Sequence, residues 1–383
     1  MVKRVLHIGI HCWTSPMRVG SHAIATQFVH QGWEVAYVAA PITPLNFLKP
    51  GSSVFQARLA EYRAGGQRDL DGKLWHYVPF SLLAPSNRRF LRSPWLFSNW
   101  SKLSLPNVKQ RVHEAGFGEV DLLLLDSIYQ PAWLDDIRYK RCVVRLADYN
   151  AGFDGYGAGA QRSEMNALAR ADLVVTASRG LSQWASEQGA RHVMYMPNGV
   201  DFERFTGHPP RPAEYASLSG PIAVFVGDIS TWVDMTLIDA CARAMPWVNF
   251  VLIGPCASPP ATVPANVHFL GVRPHDQLAG YLRHAQVGLI PFHLEKCGQL
   301  VAHIHPLKLY EYLASGLPVV SSRWAELEGL GSPAVLCSSS AEFVAAVRVA
   351  LEEPNQAPHY QRYAQSASWP QRLAPLFSWA SET

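Results

Sequence analysis

A chain of 383 residues with a formal charge of only +3 has room for two domains with full cores and lacks the basic excess of a general nucleic-acid binder. Charged residues make up only 16% against a usual share of about a quarter, while Trp reaches 12 copies, so the surface leans toward meeting something apolar. The six cysteines, Cys12, Cys142, Cys241, Cys256, Cys297 and Cys337, show no CxxC spacing, which argues against a zinc site or a disulfide framework and for a reducing, cytoplasmic setting.

In chain order, VKRVLHIGI reads as a first strand, too short and too strand-like for a signal peptide. No later run reaches the roughly 18 apolar residues of a membrane span, so any membrane contact is expected to be peripheral. The loop that follows, HCWTSPMRVGSH, lacks the GxGxxG of a nicotinamide site, and the chain holds no P-loop signature, which disfavours hydride transfer and P-loop phosphoryl transfer. Within that loop Thr14, Arg18 and Ser21 either bind an anionic acceptor group or belong to a plain flexible segment. His22 opens the next helix, where it either points toward an acceptor or serves as a solvated or capping residue. The runs WEVAYVAA, LWHYVPF, DLLLLDS, CVVRLAD, DLVVTAS and HVMYMPN then alternate with helical stretches and are apolar on both faces, the pattern of a parallel sheet covered on both sides. Between two of them lies NRRFLRSPWLFSNWSKL, in which Arg88, Arg89, Arg92 and Lys102 accompany Phe90, Trp95 and Trp100. That mixture suits an anionic bilayer or a lipid-linked acceptor; the alternative is a helix packed on its own domain with arginines at its rim. Asp126 and Asp148 each end a strand at the carboxyl edge, where ligands of such sheets bind. Asp148 is either a general base or a helix N-cap, with Asp126 in reserve as base.

After Asn198 the pattern restarts with PIAVFVGD, WVNFVLIGP, NVHFLGV, QVGLIPF, LPVVSS and PAVLCSS. Pro-rich segments near 207–220 and 353–360 mark the expected crossings. The organisation expected is therefore two doubly wound α/β domains facing a cleft, an N-terminal one over 1–205 and a C-terminal one over 206–359, with a helix over about 360–383 packing back on the first. Gly227 and Gly254 are close-approach positions beside a ligand or strand-end turns, and Tyr281 and Phe292 either flank a base or fill the core. The stretch His305–Ser322, HPLKLYEYLASGLPVVSS, is the most informative. Pro306 fits the first helical position, Gly316 and Pro318 stop the helix, and the free N–H groups near Leu307 attract anions. Lys308 can add a point charge to a diphosphate, and Glu311, one turn on, can accept hydrogen bonds from ribose hydroxyls.

PNGVD, FVGD, LIGP, NVHFLG, VGLIPF and PLKLYEYLASGLPVV, in that order and at those spacings, resemble the nucleotide-sugar glycosyltransferases of the GT-B fold. The resemblance is strong over about 195–340 and looser before it. It implies a donor site in the C-terminal domain, an acceptor site in the N-terminal one, and Arg273 as a contact to the nucleotide base or to a donor carboxylate. One departure narrows it: Asp228 and Trp232 stand where the retaining group-1 branch carries an Arg and a Lys, and His303 stands where many retaining members carry a Glu. The chain is similar in these respects to the bacterial xanthan-type glucuronosyltransferase family, which implies inversion with Asp148 as base, Lys308 as the main diphosphate cation, a UDP-sugar donor and no metal. The acceptor expected is lipid-linked or a glycan, with the basic and aromatic segment placing the protein at the inner face of the membrane. The rivals are a retaining transferase without a protein base, a non-catalytic sugar-nucleotide-binding subunit, and an epimerase.

Overall fold

The computed structural model describes residues 2–48, 51–86, 88, 90–127, 129–153, 155–256, 258–353 and 356–382. The chain divides into two compact units, Met1–Pro197 with Leu373–Thr383, and Asn198–Arg372.

The first unit is built on a sheet with eight strands among the described residues. They are β1 (Arg4–Ile8), β2 (Glu34–Val38), β3 (Gln67–Asp69), β4 (Leu74–Tyr77), β5 (Glu119–Leu125), β6 (Arg138–Leu146), β7 (Leu173–Thr176) and β8 (Val193–Tyr195), in the order β3-β4-β2-β1-β5-β6-β7-β8. Every pairing is parallel except the polar edge strand β3 on β4. The apolar runs fold as strands because helices cover both faces, so that Val5, Leu6 and Ile8 on β1 are all buried. Trp100 lies in this core, fully buried and edge-on to Trp133 at 6.2 Å; the expectation that it faces an acceptor or a membrane is corrected, because the Trp100–Leu103 turn points it inward. The C-terminal segment packs here too: the Lys3 ammonium donates to the Ala380 carbonyl at 3.2 Å, and Phe377 meets Phe28 edge-on.

The second unit carries β9 (Ile222–Val226), β10 (Asn249–Ile253), β11 (Val267–Gly271), β12 (Val287–Ile290), β13 (Val319–Ser322) and β14 (Val335–Cys337). Their order is β11-β10-β9-β12-β13-β14, all parallel. In both units the strand order turns back on itself, between β1 and β5 and between β9 and β12. At such switch points the loops beyond the carboxyl ends diverge and leave room for a ligand.

Candidate functional site

The helix Leu307–Ala314 is fixed at the switch point of the second unit from several directions. The Asn198 amide donates to the His305 carbonyl at 2.8 Å. The His305 ring, buried, bridges Glu326 (3.1 Å) and the Tyr310 hydroxyl (2.8 Å), and Trp324 Nε1 donates to the Ile304 carbonyl. On the inner face the Val226 N–H, at the end of β9, donates to the Tyr312 hydroxyl at 2.7 Å. Gly288 on β12 lets that ring approach, since a Cβ there would lie 2.4 Å from it. Pro306 is the N-cap and not the expected first helical residue, because its ψ of 116° is extended. Leu307 follows as the first helical residue. No side chain among the described residues caps this end, so the first N–H groups and the positive end of the dipole are presented to whatever lies beyond it.

Lys308 stands on the first turn. Its ammonium lies 4.3 Å from the centre of the Phe225 ring and 4.9 Å from that of Phe292, and it forms no ion pair among the described residues. Gly227 and Gly254 make this arrangement possible. Their φ values, +148° and +146°, lie in the region that favours glycine; a Cβ on Gly227 would sit 2.8 Å from the Lys308 ammonium, and one on Gly254 would sit 1.9 Å from the Gly227 carbonyl. Both are close-approach positions, packed on each other and on the lysine. Burial lowers the Lys308 pKa to about 8, although Glu311 and the nearby Asp228 pull it upward. A desolvated cation over two aromatic faces, beside an uncapped helix start, is suited to a diphosphate.

Glu311 faces the same side one turn later. One of its oxygens is 3.0 Å from His275 Nε2, and the other makes no hydrogen bond among the described residues. Arg273, expected to contact the ligand, is instead held within the unit. Its Nε donates to the Tyr281 hydroxyl (2.9 Å), its Nη2 to Glu214 (2.9 Å) and its Nη1 to the Val272 carbonyl (3.1 Å). Its guanidinium is thus engaged by Glu214, Tyr281 and its own turn, against the expectation that it contacts a nucleotide base or a donor carboxylate. Tyr281 is buried in that cluster and Phe292 lies beneath Lys308, so neither flanks a base by stacking. His275 carries no local sequence signal, for its partner lies 36 positions away.

In the first unit Asp148 lies two residues beyond β6. Its side chain is open to solvent yet crowded by protein, and that crowding, together with Asp126, holds its carboxyl above the ordinary range against the pull of Arg145. The segment after it is anchored: the Asn150 amide and the Tyr156 hydroxyl donate to the buried Glu164 carboxylate at 2.8 and 2.6 Å. Asp126, the reserve base, is buried and bound through both oxygens by Arg145 at 2.9 and 3.0 Å, with His7 at 3.5 Å. Burial alone would raise its pKa, but Arg145 and His7 more than offset that and hold it well below the ordinary range, where it is a poor base. His22 is corrected likewise: its Nδ1 accepts from the Val19 N–H (3.1 Å) and its Nε2 donates to the Cys12 carbonyl (2.9 Å). It caps the helix from a buried position, where desolvation lowers its pKa to about 4, and no ring nitrogen is left for an acceptor. The Thr14 N–H donates to Glu61 at 2.6 Å, and the Arg18 guanidinium lies over Trp13 at 5.0 Å.

Of the basic and aromatic segment, Arg88 and Arg92 are exposed, Trp95 is 58% and Phe90 87% exposed, and the nearby Leu82 and Leu83 are each 48% exposed. Leu96 and Phe97 seat the Pro94–Asn99 helix on the unit. Arg89 lies outside the described residues. No helix among the described residues is long and apolar enough to cross a membrane.

Residues 8–177 match the family described as "Glucuronosyltransferase GumK, N-terminal domain", and residues 235–378 match "Glycosyl transferase-like". The putative teichuronic acid biosynthesis glycosyltransferase TuaH of Bacillus subtilis is 26% identical over 185 residues, covering 45% of this chain and 46% of that protein. The UDP-glucuronate:glycolipid 2-beta-glucuronosyltransferase of Xanthomonas campestris pv. campestris is 29% identical over 195 residues, 48% of this chain and 44% of the relative. The chain thus spans less than half the length of either. The structure of Anabaena HepE in complex with UDP-glucose superposes with a TM-score of 0.66 at 15% identity, over 99% of this chain and 100% of that one.

Proposed function

Because the chain is a GT-B protein related to the xanthan-type glucuronosyltransferases, we propose that it transfers a sugar from a UDP-sugar to a lipid-linked or glycan acceptor in polysaccharide assembly. The observation that carries this reading is the Lys308 ammonium, without an ion-pair partner among the described residues, beside the uncapped start of the Leu307–Ala314 helix. The second unit is the donor-binding unit and the first the acceptor-binding one. Lys308 and the helix N–H groups hold the diphosphate and Glu311 the ribose. Asp148 takes the proton of the acceptor hydroxyl as its oxygen attacks the anomeric carbon. The bond from that carbon to the diphosphate oxygen breaks, and the departing charge is stabilised by the same cation and helix end that bound it. Inversion at the anomeric carbon follows from this single displacement. The names of the relatives, a glycolipid glucuronosyltransferase and a teichuronic acid glycosyltransferase, support the acceptor class. The exposed Arg88, Arg92, Phe90 and Trp95 support recruitment to the inner-membrane face.

Two measurements test the reading. Asp148→Asn is expected to lower turnover at least 100-fold while calorimetric UDP affinity stays at the wild-type level; full turnover by that variant would remove the base. Proton NMR of the product is expected to show the anomeric configuration opposite to that of the donor, and a retained configuration would favour the group-1 alternative.

A further inference from the structure

We propose that His275 is a positioning residue for Glu311, holding the carboxylate in the orientation that accepts the ribose hydroxyls and acting on the nucleotide only through it. The proposal rests on the reading of Glu311 as ribose ligand. His275 begins the short turn His275–Gln277 beyond β11, and its Nε2 is 3.0 Å from Glu311 Oε1, with side-chain exposures of 17% and 15%. The proton of the neutral ring belongs on Nε2, for a lone pair there would face the lone pairs of a carboxylate. Nδ1 is buried and has no hydrogen-bond partner among the described residues. The Phe205 ring, edge-on to the imidazole at 5.7 Å, limits its rotation. The turn is anchored on its other side as well, where Arg273 is bound to Glu214 and Tyr281. His275 therefore sits on a fixed support and has one hydrogen bond to give, to a glutamate whose remaining oxygen is unengaged. A glutamate alone on a helix surface samples several rotamers, and a bond from a fixed donor selects one of them before the ligand arrives.

The test is calorimetry with UDP and with 2′,3′-dideoxy-UDP, which lacks the hydroxyls that Glu311 would bind. His275→Phe is expected to weaken UDP about 10-fold, to leave dideoxy-UDP unchanged, and to add nothing in a Glu311→Ala background. His275→Gln, whose amide N–H reaches nearly as far as Nε2, is expected to restore most of the affinity, and His275→Asn, which falls short, is not. This pair decides the matter should the phenylalanine variant fail to fold. Wild-type UDP affinity in Glu311→Ala would overturn the ribose reading itself. Weakened binding in Glu311→Ala with full affinity in His275→Phe and His275→Asn would overturn the positioning role alone. Equal losses for UDP and dideoxy-UDP would overturn it too.

Discussion

Packing between Phe225 and Phe292 lowers the pKa of Lys308 from 10.5 to about 8, and the sign of that shift sets what the residue does to stability and to binding. An unfolded lysine holds its proton up to about 10.5, so the unfolded chain binds the proton more tightly. The penalty on folding is therefore complete below pH 8 and fades as pH rises toward 10.5. Lys308→Met is accordingly expected to raise the ligand-free thermal midpoint at pH 7 by a few degrees while weakening UDP by roughly 10- to 100-fold, the range for a lost charge-assisted contact. Scanning calorimetry and titration on one preparation check both. In the wild-type protein UDP affinity is expected to fall as pH rises from 7 to 9, and Lys308→Arg to flatten that fall; a flat wild-type profile would mean that another group holds the diphosphate. The buried Asp126–Arg145 pair behaves in the opposite sense. Arg145→Met leaves a buried carboxylate without its partner and is expected to destabilise by about 3–5 kcal/mol in chemical denaturation. That Lys308 and Glu311 share one face of a helix could be read in the sequence because they lie three residues apart in one helical stretch. Arg273 and Trp100 were misplaced because what occupies them, Glu214 and Trp133, lies at separations that no local pattern encodes, whereas His22 takes the capping alternative through the Val19 N–H three residues before it.

At the scale of the element, the strands were legible for a physical reason: a sheet covered on both faces needs apolar residues along its strands, as in IAVFV of β9 and, after Asn249, FVLI of β10. The edge strand β3, with sequence QRD, is exposed throughout and pairs on one side only, so it carries no such signal. Helix ends were harder to place, as the one-residue offset at Pro306 shows. What sequence pattern cannot reveal is how closely two elements approach, and there the glycines decide. Gly288 admits the Tyr312 ring against β12, and that ring's hydroxyl receives the Val226 N–H. Gly288→Ala is expected to destabilise by about 1–3 kcal/mol through overpacking. By shifting the Leu307–Ala314 helix it is also expected to weaken UDP several-fold. An alanine variant of wild-type stability and affinity would show that the helix is not seated by this contact.

On the scale of the whole molecule, the two units carry different surface chemistry, and under the proposed function each serves one substrate. The second unit offers a cation and an uncapped helix end, both matched to a nucleotide. The first offers a carboxylate at a strand end and, on the exposed face of the Pro94–Asn99 helix and the chain before it, arginines with large apolar side chains. Large exposed aromatics oppose solubility unless they meet a surface, and the low charged fraction of the chain points to the same kind of partner. A bilayer containing anionic lipid satisfies both features, attracting the arginines at long range and burying Phe90 and Trp95 at contact. Each basic residue near such a surface contributes about 1 kcal/mol, or about 5-fold in partitioning. A variant carrying Arg88→Glu and Arg92→Glu is therefore expected to lose flotation with phosphatidylglycerol vesicles, and the wild type to lose it progressively as salt is raised. Neither is expected to float with purely zwitterionic vesicles. UDP calorimetry on the same variant verifies that the second unit is intact, so unchanged flotation with unchanged UDP affinity would reject the membrane and leave a soluble glycan as the acceptor.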